Sequence, residues 1–268
     1  MPTLPPADQP HRHRQLAESF GSDPERYDRT RPRYPEAMVE AIVAASPGRD
    51  VLDVGCGTGI SARQFQAAEC RVLGVEVDAR MADFARRSGV ETEVAAFEAW
   101  DAAGRQFDAV IAGQAWHWVD PVAGAAKAAQ VLRPDGRLAL FWNVFLPPPD
   151  VAEAMSAVYR QVMPDLPMYR RVMPGLDAYS VLLTKAVDGI REVRAFSDPE
   201  QWRFEWKRAY TREEWLDQVP TFGGHGQLPP ATLERLLEGI GDAIDAVGGC
   251  VTMHYSVVVV TAARTLGL

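Results

Sequence analysis

The segment Val51-Leu-Asp-Val-Gly-Cys-Gly-Thr-Gly59 constrains this chain more than any other. A short apolar run enters three glycines at alternate positions, and a helix-forming stretch follows. Glycine tolerates positive φ and lets a ligand approach the backbone, while a helix N-terminus behind it offers oriented N–H groups. The spacing is Gly-x-Gly-x-Gly, whereas dinucleotide-binding loops carry Gly-x-Gly-x-x-Gly. Asp53 sits inside the run, where an acid is costly to bury without partners. It is expected to hold the loop or to meet a cationic ligand. A second acid, Glu76, lies 21 residues beyond Gly55. A carboxylate about 20 residues past such a loop can accept from both hydroxyls of a ribose.

The rest of the chain reads in the same rhythm up to residue 146. Apolar runs predict strands at Arg71–Val77, Glu93–Ala95, Phe107–Ala112 and Leu138–Trp142. Helices fall between them: one from the glycine loop to about Ala68, one capped by Asp78, and one from Pro121 to about Leu132. Arg133-Pro-Asp-Gly136 reads as a turn. Strands alternating with helices make a parallel sheet of right-handed crossovers. A ligand then binds beyond the strand C-termini, where strand order reverses. Upstream, residues 1 to about 16 read as a disordered tail. Ser22-Asp-Pro-Glu25 opens a helix with a capping box, and Arg31-Pro-Arg-Tyr-Pro35 breaks it.

Past residue 146 the pattern changes. Pro147-Pro-Pro149 marks a boundary, and helical patches over 151–187 are interrupted by Pro164, Pro167 and Pro174. Trp202, Phe204 and Trp206 recur every second residue. Two readings stand: one face of a strand on the core, or the wall of an apolar acceptor pocket. A capping box at Thr211–Glu214, a helix over 231–246 and a strand over Val251–Thr261 complete the chain.

Composition narrows the function classes. Acidic residues outnumber basic ones 36 to 28, for a net charge of −8, which argues against a general nucleic-acid binder. No apolar run approaches the ~20 residues that cross a bilayer, and the N-terminus lacks the apolar stretch of a signal peptide. Cys56, Cys70 and Cys250 are too few and scattered for a disulfide framework or zinc site. Among five histidines only His11-x-His13 has a ligand-like spacing, so no metal site is expected. The protein is expected to be soluble and cytoplasmic, without nucleic-acid or membrane partners.

VLDVGCGTG, then GVEVD, then FDAVIAGQAWHW, then VLRPDGRLALFW together closely resemble class I S-adenosylmethionine (SAM)-dependent methyltransferases with a methyltransferase type 11 domain. YDRTRPRYP and the His-Trp pair after the fourth strand resemble the trans-aconitate-methyltransferase-like branch. The resemblance covers roughly residues 15–146. It implies an α/β, doubly wound, Rossmann-like sheet of seven mostly parallel strands, the last antiparallel, with an N-terminal lid and C-terminal cap insertions. On that reading residues 1–45 hold the tail and lid helices, 46–146 the SAM-binding core, 147–230 the acceptor-pocket insertions, and 231–268 the last helix and closing strand.

The resemblance also implies roles for particular residues. Gly55, Gly57 and Gly59 would approach the amino-acid half of SAM, with Asp53 near its ammonium. Glu76 would bind the ribose hydroxyls, and Val77 and Met81 would pack on the adenine. The Asp-Ala pair that usually reads the adenine edge falls at Ala96-Phe97, followed by Glu98. The side-chain acceptor is therefore missing or displaced to Glu98, and Phe97 and Glu98 are taken as the binding residues. Gln114 would face the methionine portion, and Tyr27 and Arg31 on the lid would meet its carboxylate. His117 is the candidate catalytic residue, as a base, a positioning group or a packed side chain. The implied activity is methyl transfer to a small molecule by a monomer or homodimer, leaving S-adenosylhomocysteine (SAH). Three alternatives stay open: other SAM chemistry, a catalytically silent SAM binder, and an NAD(P)-dependent oxidoreductase.

Overall fold

The computed structural model describes residues 19–164 and 179–265. The N-terminal tail and the interruptions at Pro167 and Pro174 lie outside the described residues. Seven strands form one sheet in the order β3-β2-β1-β4-β5-β7-β6. They are β1 (Asp50–Val54), β2 (Arg71–Glu76), β3 (Glu91–Val94), β4 (Phe107–Gly113), β5 (Leu132–Leu146), β6 (Glu200–Thr211) and β7 (Cys250–Ala263). The first five are parallel, and β7 runs antiparallel to both β5 and β6. Strand order reverses between β1 and β4, which puts the switch point at Val54 and Gly113. This is the doubly wound, seven-stranded sheet with an antiparallel β7 that the sequence implied.

The crossovers start where local chemistry dictates. Helix α1 (Pro24–Thr30) is capped by Asp23, whose side chain accepts from the Arg26 N–H; the cap is thus one residue past the Ser22 read from sequence. After α2 (Glu36–Ala44) and β1, α3 (Ile60–Ala67) begins directly behind Gly59. Asp78 caps α4 (Ala79–Arg87). Asp120 caps α5 (Pro121–Val131) by accepting from Val122 and Ala123, with Pro121 supplying a pre-set φ at the first turn. The Arg133–Gly136 turn sits inside β5 as a bulge. Leu132 pairs with Phe107 and Arg137 with Ala109, and Asp135 takes φ +61° to make the excursion. Strand β3 starts two residues earlier than its apolar residues suggested, because it is an edge strand with one partner and carries exposed acids.

Both faces of the sheet are covered. Leu52, Val110, Leu140 and Val258 pack under α5 and α7 (Ser180–Val193). Val51, Ile111, Phe141 and Val257 pack under α2 and α3, where Trp202, Phe204 and Trp206 join them. The two-residue rhythm of those aromatics is therefore a strand face on the core.

Strands β5 and β7 pair as far as Leu146 and His254, whereas β4 ends at Gly113 opposite Phe141. With β6 they run past the carboxyl edge of the parallel sheet as a three-stranded antiparallel projection. A second core forms on it, from Phe145, Tyr210, Met253 and Tyr255 of the strands. Met155 and Tyr159 of α6 (Pro149–Val162), Trp215 of α8 (Arg212–Gln218) and Leu236 and Ile240 of α9 (Pro230–Asp245) complete it. This core is the base of a cap that lies beyond the carboxyl edge of the parallel sheet. Among the described residues no helix is long and apolar enough to cross a membrane.

Trp215 anchors that second core, edge-on to Phe145 at 5.6 Å and to Tyr210 at 5.1 Å. Trp215→Ala is expected to cost about 3–5 kcal/mol of unfolding free energy. The urea midpoint should fall accordingly, and an unchanged midpoint would contradict the cap's packing.

Candidate active site

A cavity of about 360 Å³ opens at the switch point between the carboxyl ends of β1, β2, β3 and β4 and the N-terminal segment. Its floor is the loop after β1. Gly55, Gly57 and Gly59 all have positive φ, at +65°, +57° and +84°. At Gly55 a Cβ would lie 2.5 Å from the Ala115 Cβ, and at Gly57 it would project toward the cavity, meeting only Met81 at 3.6 Å. The loop is thus shaped both by packing beneath it and by the need to leave space above. Cys56 fills the gap over Gly74, and burial pushes its thiol well up.

The loop is fixed to β2 by Glu76. Its Oε2 accepts from the Gly57 N–H at 2.8 Å, and its Oε1 accepts from the Asp78 N–H at 2.9 Å. Burial raises its pKa above the ordinary carboxylate value, against the pull of these amides. The carboxylate still faces the cavity and has about four acceptor positions, of which two amides use two.

Eleven of the thirteen residues singled out from sequence line this one cavity: Tyr27, Arg31, Gly55, Gly57, Glu76, Val77, Met81, Phe97, Glu98, Gln114 and His117. Two do not. Gly59 lies beneath the floor as the residue that opens α3, where a Cβ would lie 2.9 Å from Val90. Asp53 is fully buried below the loop; Ser61 Oγ donates to its Oδ2 at 2.6 Å, and Oδ1 has no partner. Burial first, and the neighbouring Glu76 charge second, push Asp53 up to about 7. Glu98 is also more committed than expected. Its Oε1 accepts from the Asp120 N–H at 2.9 Å, tying the turn after β3 to the start of α5.

The N-terminal segment roofs the cavity with Phe20, Tyr27, Arg31 and Tyr34. It is fastened at several points. Arg26 and Arg29 reach Asp217 of α8 at 3.2 and 2.8 Å. Gln64 clamps the Tyr34 main chain, accepting its N–H at 3.0 Å and donating to its carbonyl at 2.8 Å. Arg31 donates to the Thr221 carbonyl and lies over the rings of Tyr27 and Phe222, at 4.8 and 5.2 Å. It has no carboxylate partner among the described residues, and its Nε is buried without an acceptor.

At the ends of β4 and β5 the lining is polar and uncharged. Gln114 takes φ +56°, held by its N–H to the Phe141 carbonyl at 2.9 Å. Its Nε2 donates to the Asn143 carbonyl at 3.0 Å, leaving a buried Oε1 without a partner. His117, in the turn Trp116–Trp118, receives a long 3.4 Å contact from the Trp142 indole N–H at Nδ1. Burial pushes its imidazole down to about 4. It is therefore neutral near pH 7, with its hydrogen on Nε2. Sequence reasoning missed Phe20, Trp118 and Asn143 as lining residues. Only Asn143 carried a signal, as the one amide inside the apolar run Leu138–Phe145. Among the described residues no cluster of three or more metal-ligating side chains occurs.

The comparisons agree with this architecture. Residues 52–140 match the family described as methyltransferase domain. That stretch, a third of the chain, is similar to methyltransferase domains. An uncharacterized methyltransferase of Mycobacterium tuberculosis is 37% identical over 132 residues, covering 48% of this chain and 54% of that protein. The malonyl-[acyl-carrier protein] O-methyltransferase of Enterobacter lignolyticus is 29% identical over 161 residues, 58% of this chain and 62% of that one. The chain thus spans about half the length of the curated relatives it matches. In fold it is similar to a solved Anaeromyxobacter dehalogenans protein described as a type II methyltransferase, with a TM-score of 0.64 at 22% identity over 89% of this chain and 99% of that one.

Asp53 gives this site a pH signature. Its carboxyl keeps a proton to about pH 7, whereas the unfolded chain releases it near its ordinary value of 3.8. The stability it contributes is full below about pH 4 and is lost as pH rises through 7. Asp53→Asn is neutral throughout, so its melting temperature should gain on the wild type by several degrees between pH 5 and 8. A difference independent of pH would show that Asp53 titrates normally.

Proposed function

We propose that the whole chain is a SAM-dependent methyltransferase that methylates an oxygen of a small-molecule acceptor. The observation that carries this reading is Glu76, held by Gly57 and Asp78 at the rim of a cavity floored by the Gly-x-Gly loop. The lining fits SAM. Glu76 has acceptor capacity left for the ribose hydroxyls, and Val77, Met81 and Phe97 offer apolar faces to the adenine. Glu98 keeps one oxygen for the adenine edge. The main chain at Gly55 and Gly57 would follow the amino-acid half, whose carboxylate meets Arg31 beside Tyr27. Asp53 bears on its ammonium from beneath the loop, and Gln114 faces the methionine portion. Gly59 contributes through the turn it makes. The lid sequence and the His-Trp pair favour the trans-aconitate-methyltransferase-like branch.

SAM supplies a methyl carbon on a sulfonium, to which an acceptor lone pair bonds in line as the C–S bond breaks with its electrons on sulfur. The protein's part is to bind and orient, and alignment alone can remove about 7–11 kcal/mol of a barrier. Phe20, Tyr27 and Tyr34 roof the cavity and keep water from the reacting atoms. His117 acts as a hydrogen-bond donor that positions the acceptor. With Nδ1 turned to Trp142 and basicity lowered by burial, it is a poor proton acceptor near neutral pH.

Three experiments bear on this. Calorimetry should show SAH binding and no NADH binding; the reverse would sink the assignment. Glu76→Ala should weaken SAH roughly 10- to 150-fold, the cost of a lost hydrogen bond to a charged group. Unchanged affinity would make Glu76 a purely structural clamp. Once an acceptor is in hand, His117→Gln should retain much more activity than His117→Ala. The wild-type rate should show no inflection near pH 6.5 from this residue. Equal losses of about 10²- to 10⁴-fold, partly recovered at high pH, would restore His117 as a base.

A further inference from the structure

The two amides at the β4 and β5 ends are oriented without ambiguity. The Trp206 indole N–H, which can only donate, reaches Asn143 Oδ1 at 3.1 Å. Trp206 is itself stacked on Tyr255 at 4.3 Å. The Asn143 Nδ2 is therefore the free end, and it is buried without a partner among the described residues, in a residue only 6% exposed. Gln114 is fixed the same way, because its Nε2 must face the Asn143 carbonyl. Its free Oε1 is an acceptor. Both side chains line the cavity, on adjacent strands. An unpaired donor and an unpaired acceptor buried together cost stability unless a ligand satisfies them.

Charge is distributed unevenly around this cavity. Among the described residues its charged lining is Arg31 on the lid and Glu76 and Glu98 at the β2 and β3 ends. The β4 and β5 ends present Gln114, Asn143 and a His117 that burial keeps neutral. Two aromatic side chains, Phe20 and Trp118, complete the wall.

We propose that Gln114 Oε1 and Asn143 Nδ2 form a subsite for a neutral hydroxyl group, so that the methyl acceptor is an uncharged alcohol or phenol with an apolar body. This rests on the methyltransferase reading above. A hydroxyl gives a hydrogen bond to Gln114 and takes one from Asn143 at a single atom. A carboxylate has no hydrogen for Gln114, and an ammonium has no lone pair for Asn143. The hydroxyl oxygen bonds to the methyl carbon as the C–S bond breaks. Gln114 holds the hydroxyl hydrogen as a hydrogen bond only, and the proton leaves to solvent. Trp206 acts as a positioning residue through Asn143.

The test uses the full chain loaded with SAH, and matched phenols, benzoates and benzylamines that share ring substituents. Calorimetry with SAH alone comes first; no SAH binding removes the methyltransferase reading and this subsite with it. On the loaded protein, ligand-observed NMR titration should give each phenol about tenfold tighter binding than its benzoate or benzylamine partner, the worth of one or two hydrogen bonds. Asn143→Ala should shrink that ratio below about threefold, and Asn143→Asp should shift preference to the benzylamine. Trp206→Phe, which retains an aromatic ring, should also reduce the ratio. Equal binding of the three arms, no binding by any, or a preference for benzoate overturns the proposal. So does an Asn143→Asp or Trp206→Phe protein that folds and discriminates as the wild type does, which would mean that the two amides merely pair with each other.

Discussion

Two main-chain amides converge on one carboxylate, Glu76, and much of the site follows from that. The Gly57 N–H comes from the loop after β1 and the Asp78 N–H from the cap of α4. A buried acid with such partners keeps two crossovers in register at their ligand ends. It also explains why neither loop needs bulky side chains of its own. Glycines can then leave space over the floor, while Ala115 and Cys56 pack beneath it. Asp53 lies one layer lower, buried beneath the floor and bonded to Ser61.

The second organising feature is a difference in strand length. Parallel strands β1 to β4 stop at the ligand edge, but β5, β7 and β6 continue past it. Antiparallel pairing needs no crossover helix, so the projection is free to carry its own aromatic core. The cap meets the N-terminal segment that roofs the cavity, where Arg31 contacts Thr221 and Phe222.

The sequence exposed the parts of this design that depend on local chemistry. Glycine spacing, the acid at the end of β2, the cap at Asp78 and the capping box at Thr211 each declare themselves within a few residues. The alternation of Trp202, Phe204 and Trp206 announced a strand, although not which layer it would face; that depends on pairing with β7, some fifty residues away. Long-range placement hid the remaining lining residues. Phe20 falls in the lid segment and Trp118 in the His-Trp pair, yet nothing local marks either as cavity lining. Asn143 went unmarked although it is a polar residue in an apolar run, because its meaning lies in Trp206 and Gln114, which only the fold brings beside it. For Asp53 the sequence left two roles open, holding the loop or meeting a cationic ligand, and its side chain lies buried beneath the loop, bonded to Ser61.

Arg31 belongs to the roof, yet its guanidinium is seated on the cap, against the Thr221 carbonyl and the Phe222 ring. An anion drawn to that guanidinium therefore also bears on the cap's position. Thermodynamic linkage makes such an effect mutual: whatever steadies the cap must strengthen the grip on the anion by the same factor.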